Sequence, residues 1–168
     1  MEAALRKYEK EFGIKITCSI EDEPMGTAGP IRLAKDIICA DNPEGLFFVF
    51  NSDIICDFPI KEMIEYHKSH GGDGTLMVTE VEDPSKYGVI VSKENGEILS
   101  FVEKPSVYVS NKINAGLYLF STRMIDRIPL KPTSIEREIF PAMAADHVIF
   151  SKVLKGFWMD IGQPKDFI

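Results

Sequence analysis

The chain has 168 residues, 45% of them hydrophobic and 27% charged, with a net charge of -7. That length makes one domain able to bury a core. The acidic balance excludes a general nucleic-acid surface, but not a mononucleotide whose phosphates a metal and a few local donors can hold. No apolar run approaches the roughly 18 residues of a membrane span, and nothing at the start reads as a signal peptide. The expectation is a cytoplasmic protein with neither a membrane nor a nucleic-acid polymer as partner. Cys18, Cys39 and Cys56 have no metal-like spacing and sit in apolar runs, so they read as buried free thiols of a reducing compartment.

Residues 1–11 have helical spacing, with Ala4, Leu5, Tyr8 and Phe12 on one face. No strand precedes that face for it to pack on, which is odd for a domain's first element. Residues 14–20 alternate and are β-branched, which predicts a strand. Residues 21–29 form a loop. A helix should follow with Pro30 in its first turn and Ile31, Ala34, Ile37 and Ile38 facing inward. Leu46–Phe50 is continuously apolar, as in a strand buried on both faces of a parallel sheet. Pro59 opens a helix to about His70. Strands are expected at 75–80, 88–92 and 98–103, with Asn95-Gly96 as a hairpin turn. Another strand spans 113–120 and leads into a helix at 122–128. Thr133 and Glu136 have capping-box spacing, so a helix should run to about Ala145. Strands at 147–154 and 157–159 follow, and Pro164 opens a last helix.

Alternating helices and apolar strands predict an α/β domain, Rossmann-like, with a mixed but mostly parallel sheet flanked by helices. Ligands of such sheets sit outside the carboxyl ends of the strands. Asp53 stands three residues beyond Phe50, and Asp160 follows Phe157-Trp158-Met159 in the same way. Two carboxylates so placed can share a hard cation such as Mg2+ and leave room for phosphate oxygens. By position alone, capping a turn is the commoner use of either residue. Asp57 reads as a cap before Pro59, and Trp158 as the wall that positions Asp160. His67, His70 and His147 form no cluster in the sequence. Gly71-Gly72-Asp73-Gly74 links a helix to a strand, so it is no phosphate cradle.

Seven segments stand in order at compatible spacing: EDEPMGTAGP (21–30), FVFNSDIICDFP (48–59), SKYGVI (85–90), FVEKP (101–105), NKINAGLYLF (111–120), TSIEREIFP (133–141) and GFWMDIGQPKDF (156–167). Together they resemble the sugar-1-phosphate nucleotidyltransferases, and within them the catalytic type of eukaryotic GDP-mannose pyrophosphorylases. The resemblance covers nearly the whole chain. It implies GTP and mannose 1-phosphate as substrates and Mg2+ as cofactor, held by Asp53 and Asp160. It gives Lys104 the role of placing positive charge on the sugar phosphate. Glu103 would accept hydrogen bonds from sugar hydroxyls. Asn114, with the backbone at Ala115 and Gly116, would contact the same sugar, and Gly88 would let the backbone approach it. Gly26 and Thr27 would pass their backbone against the guanine.

Each of these residues also has a purely structural reading, as a strand end, a close-packed strand start or a turn. The family's Gly-rich loop, of the type G-G-x-G-T-R-L-x-P-L-T, has no match in the 168 residues. Its backbone N–H groups cradle the triphosphate, and its Arg stabilises the leaving pyrophosphate. The expectation is therefore a partial catalytic domain, without that first strand and loop and without the left-handed β-helix domain, impaired on its own. Two other readings stay open: a non-catalytic regulatory subunit binding a sugar nucleotide or a catalytic partner, and a related glucose-1-phosphate uridylyl- or thymidylyltransferase. Assembly as a homo-oligomer or with a regulatory subunit of the same family is compatible with all of them. An α/β domain with no ligand is the plainest alternative.

Overall fold

The computed structural model describes residues 2–103 and 107–163. Helix α1, Glu2–Phe12, forms as its spacing predicts, but its apolar stripe finds no core: Tyr8 and Phe12 are 47% and 64% exposed. The strand expected at 14–20 does not form. Every residue there except Ile16 is exposed, and the Ile16 N–H donates to the Glu9 carboxylate at 2.8 Å. A β-branched run becomes a strand only where a neighbour takes up its backbone groups, and no described strand lies beside this one. The helix after Pro30 is two short ones, α2 (Gly29–Leu33) and α3 (Lys35–Cys39), broken at Ala34. Ile31 is buried and Ile38 packs on the core as expected, whereas Ile37, beyond the break, is 52% exposed.

The remaining elements follow the predicted order closely: β1 (Leu46–Phe50), β2 (Ile54–Cys56), α4 (Ile60–His70), β3 (Gly74–Glu80), β4 (Gly88–Ser92), β5 (Ile98–Glu103), β6 (Lys112–Ser121), α5 (Phe140–Ala145), β7 (Ile149–Val153) and β8 (Trp158–Asp160). Residues 122–127 wind as a 3-10 helix, and a π-helical turn, Ile135–Ile139, precedes α5. The wider turn shifts the capping pair. Ser134 Oγ, not Thr133, accepts from the Arg137 N–H at 3.2 Å, and Glu138 Oε1 accepts from the Ser134 N–H at 2.9 Å. The helix predicted at Pro164 lies outside the described residues, as does Lys104.

The sheet is mixed, as expected, but neighbouring strands are not mostly parallel. β6 pairs antiparallel with β1, β3 and β4, β5 pairs antiparallel with β4, and β3–β7 is the parallel pair among the described strands. β1, β3, β4 and β7 do run the same way. The long strand β6 runs against them and lies between β1 and β3 and between β4 and β3, so like-directed strands seldom touch. β1 is also less buried than its sequence implies. It pairs with β6 alone among the described strands, and Phe50 is 39% exposed.

Alternation along β3 and β6 divides the core between the two faces of the sheet. Leu76, Tyr118 and Phe120 meet Phe140 and Met143 of the α5 region on one face. Met77, Leu117 and Leu119 meet Met63 of α4 on the other. The cysteines depart from expectation: Cys18 and Cys39 are exposed, on the unpaired 14–20 segment and the end of a short helix, and only Cys56 is half-buried. Burial, then the neighbouring Asp57 carboxylate, raises the Cys56 thiol pKa. No helix among the described residues is long and apolar enough to cross a membrane.

Candidate active site

β2 and β8 form a separate two-stranded ribbon, antiparallel, with Ile54 opposite Asp160 and Cys56 opposite Trp158. Asp53 immediately precedes β2, in the turn after β1, and Asp160 closes β8. The ribbon's register therefore sets the two aspartates side by side. The Ile161 N–H donates to the Asp53 carbonyl at 2.8 Å and extends the pairing past the strand ends. The carboxylates converge beside Gly162. A β-carbon built there would stand 2.8 Å from Asp53 Oδ2 and 3.1 Å from Asp160 Oδ1. Asp160 does make the turn-capping bond: its Oδ1 accepts the Gly162 N–H at 2.8 Å, which fixes the orientation of its carboxylate. Two carboxylates set side by side on one flank of Gly162 suit a hard divalent cation that keeps water or phosphate in its other positions. Among the described residues there is no group of three or more His, Cys, Asp or Glu side chains placed to hold a metal. The candidate donor set is this pair.

The wall behind the pair is built from the residues around Gly116. The Trp158 indole N–H donates to the Ala115 carbonyl at 2.9 Å, and its ring meets the edge of Tyr87 at 5.9 Å. The reading of Trp158 as the wall that positions Asp160 fits this geometry. Gly116 interrupts β6 with φ +75°, a left-handed conformation that costs a side-chain-bearing residue about 1–2 kcal/mol. The kink breaks the β3–β6 register between Leu76 and Val78. It also brings Asn51 in, whose backbone N–H donates to the Gly116 carbonyl at 2.9 Å. A β-carbon on Gly116 would lie 3.0 Å from both Asn51 Nδ2 and Ile54 Cγ1. Asn51, Gly116, Ile54 and Asp160 thus form one continuous packing.

The residues assigned to a sugar by resemblance fall around this wall. Gly88 pairs directly with Glu103 across β4 and β5, next to Tyr87 and hence to Trp158. Asn114 is half-buried and its amide is engaged inside the fold. Its Nδ2 donates to the Tyr118 hydroxyl at 2.7 Å, and its Oδ1 accepts the Gly116 N–H at 3.1 Å. In this state Asn114 shapes the kink, and the Ala115 carbonyl serves Trp158.

Gly26 and Thr27 lie elsewhere, pinned to residues 133–136. Thr133 and the 25–28 loop exchange two backbone hydrogen bonds, Ala28 N–H to the Thr133 carbonyl at 2.9 Å and Thr133 N–H to the Met25 carbonyl at 3.0 Å. Gly26, at φ +72°, has the Thr133 carbonyl oxygen 2.5 Å from where a β-carbon would stand, so only glycine fits. Thr27 Oγ1 donates to Glu136 Oε2 at 2.7 Å and accepts the Ile135 N–H at 2.8 Å. Residues 21–26 line an open cavity of about 430 Å³.

Two features were not legible beforehand. Gly162 gave no signal beyond standing two residues after Asp160, and Asn51 none beyond standing two before Asp53. The reading of Gly71–Gly74 as a linker fits: Gly72 N–H donates to His70 Nδ1 at 3.0 Å, and the Asp73 and Gly74 N–H groups donate to the Val148 carbonyl. No cradle of free N–H groups is left at those three residues. Two of the three histidines, however, do come together, while His147 Nδ1 lies 2.7 Å from Glu97 Oε1. His67 Nδ1 and His70 Nε2 lie 2.9 and 2.7 Å from Thr75 Oγ1. Helical i, i+3 spacing on α4 puts both over the start of β3, a link hidden in the sequence by the intervening turn.

The comparisons with known proteins agree with this architecture. The family model described as Nucleotidyl transferase matches residues 2–168. The mannose-1-phosphate guanylyltransferase catalytic subunit beta of Dictyostelium discoideum is 62% identical over 169 residues, covering 100% of this chain and 46% of that protein. The subunit of the same name from Xenopus tropicalis is 57% identical over the same share. The chain therefore spans a little under half the length of these relatives. Among solved structures, HddC from Yersinia pseudotuberculosis complexed with GMP-PN superposes with a TM-score of 0.74 at 29% identity, covering 99% of this chain and 71% of that one.

Proposed function

The chain belongs to the nucleotidyl transferase family, and on that premise we propose that it carries the metal and sugar-phosphate side of a mannose-1-phosphate guanylyltransferase site. In that reaction a phosphate oxygen of mannose 1-phosphate attacks the α-phosphorus of GTP. The new P–O bond forms as the bond to the β-phosphate oxygen breaks, giving GDP-mannose and pyrophosphate. The observation that carries the reading is the convergence of Asp53 Oδ2 and Asp160 Oδ1 on one point beside Gly162. Asp53 and Asp160 would hold Mg2+ there, and it would supply positive charge against the phosphates.

The chain's own groups do the positioning. Asp53 and Asp160 hold the cation, and the β2–β8 pairing fixes their separation. Trp158, held by the Ala115 carbonyl, keeps β8 against the kink at Gly116. The paired backbone at Gly88 and Glu103, with the Asn114–Gly116 turn beside it, forms the surface for the hexose. Lys104, adjoining Glu103 in sequence, brings a cation to the sugar phosphate. Gly26 and Thr27, on a loop held rigid by residues 133–136, offer their backbone to the guanine. The names of the Dictyostelium and Xenopus relatives favour guanine and mannose over the uridylyl and thymidylyl alternatives. Three free cysteines and the nucleotide substrate suit the cytoplasm, and a homo-oligomer or a regulatory subunit of the same family remains the expected partner.

The 168 residues contain no Gly-rich phosphate loop, so by themselves they should bind better than they turn over. A titration panel tests the reading. GDP-mannose and mannose 1-phosphate, with Mg2+, are expected to bind ahead of UDP-glucose, dTDP-glucose and glucose 1-phosphate. GDP-mannose synthesis by the chain alone should be slow or undetectable. Preference for a uridine or thymidine sugar would overturn the substrate assignment. Turnover matching an intact relative would overturn the impairment.

A further inference from the structure

We infer that Gly162 is a positioning residue for the cation: the absence of its side chain keeps the space between Asp53 and Asp160 open, and its N–H aims the Asp160 carboxylate. This rests on the proposed metal role of the two aspartates and adds a residue to it. The position a β-carbon would take lies 2.8 Å from Asp53 Oδ2 and 3.1 Å from Asp160 Oδ1. A methyl group there would stand within 3.1 Å of both oxygens, so at least one carboxylate would have to move away from its partner and from any cation the two share. At the same residue, the N–H donates to Asp160 Oδ1 at 2.8 Å and so sets which lone pairs of that carboxylate face the gap.

The backbone does not require the glycine. Gly162 is not among the glycines with a left-handed φ, unlike Gly26 and Gly116. The three nearest atoms a β-carbon would meet are carboxylate atoms of two side chains, one exposed and one half-exposed. An added methyl can therefore be relieved by swinging the Asp53 carboxylate away, which spares the fold and separates the pair. The requirement for glycine belongs to the cation, whereas at Gly116 it belongs to the chain.

The test is Mn2+ titrated into the isotope-labelled 168-residue chain, read as paramagnetic broadening of the Ile54 and Ile161 amide signals. The wild type should show saturable local broadening that Asp53→Asn and Asp160→Asn abolish. Gly162→Ala should weaken it about tenfold or more, and Gly162→Ser at least as much, with thermal midpoints within a few degrees of wild type. Undiminished broadening in Gly162→Ala and Gly162→Ser overturns the inference while leaving the metal reading intact. No local broadening in the wild type overturns both. Unfolding of both variants overturns the inference as well, because it assigns the glycine to the fold.

Discussion

At the scale of single residues, the site depends on groups that touch no cation themselves. The Trp158 indole N–H is committed to the Ala115 carbonyl, and through it β8 is tied to the strand that carries the kink. Trp158→Phe keeps the aromatic body and removes the donor. It leaves a buried carbonyl short of a partner, so stability in urea should fall by about 1–2 kcal/mol, and the Mn2+-induced broadening at Ile161 should weaken with it. An unchanged urea midpoint with unchanged broadening would show that the indole only fills space. Asp53 and Asp160 stood out in the sequence as candidates by their place after strands and by the motifs around them, and the β2–β8 register sets them side by side. Gly162 did not stand out, because its value lies in a missing atom and in a distance across two strands. Asn114 was expected to contact a sugar, and its observed bond to the Tyr118 hydroxyl was not legible, since Tyr118 sits four positions along a strand that kinks between them.

At the scale of elements, α4 and the start of β3 are joined by a polar link through a mostly apolar core. Gly72 donates into His70 Nδ1, so the His70 proton sits on Nε2 and is given to Thr75 Oγ1; the Thr75 hydroxyl then donates into His67 Nδ1. Both imidazoles are thereby held neutral. Burial, then the neighbouring His67, pushes the His70 pKa down to about 4. Burial lowers that of His67 against the opposing pull of the Asp73 carboxylate, with Arg123 adding to the lowering. With the folded pKa below the unfolded value of roughly 6.5, the unfolded chain binds more protons as pH falls. The stabilisation is complete above about pH 6.5 and is lost as pH falls toward about 4. Thermal midpoints should decline across that window in the wild type and decline less in His70→Phe. Parallel curves for the two would contradict the link. Sequence showed α4 and β3 as elements, because each carries its own periodicity. It did not show the strand at 14–20 to be absent, because a strand is made by its neighbour as much as by its residues.

At the scale of the whole molecule, the order of elements and the two-faced core could be read from apolar runs and their period. The pairing pattern could not. Four strands run one way, as alternating helices and strands imply, but β6 lies between them in the opposite sense, and an apolar run such as Leu46–Phe50 reports burial without fixing the direction of its neighbour. The same strand brings Gly116 against Asn51 and Ile54, and so sets the aspartate ribbon beside the sheet. The half-buried β1 belongs to this scale too, since its apolar run looks ordinary until the sheet is assembled, whereas the unpacked face of α1 was already odd in the sequence. The central claim is that Asp53 and Asp160 act together, through one cation, on the phosphates of a guanine sugar nucleotide. It is tested most directly by calorimetric titration of GDP-mannose into the chain with Mg2+, with a chelator in place of Mg2+, and into Asp53→Asn and Asp160→Asn. Binding should weaken about tenfold or more without the metal, by a similar factor in each variant, and no further when a variant is combined with the chelator. Affinity indifferent to Mg2+ and to both substitutions would contradict it.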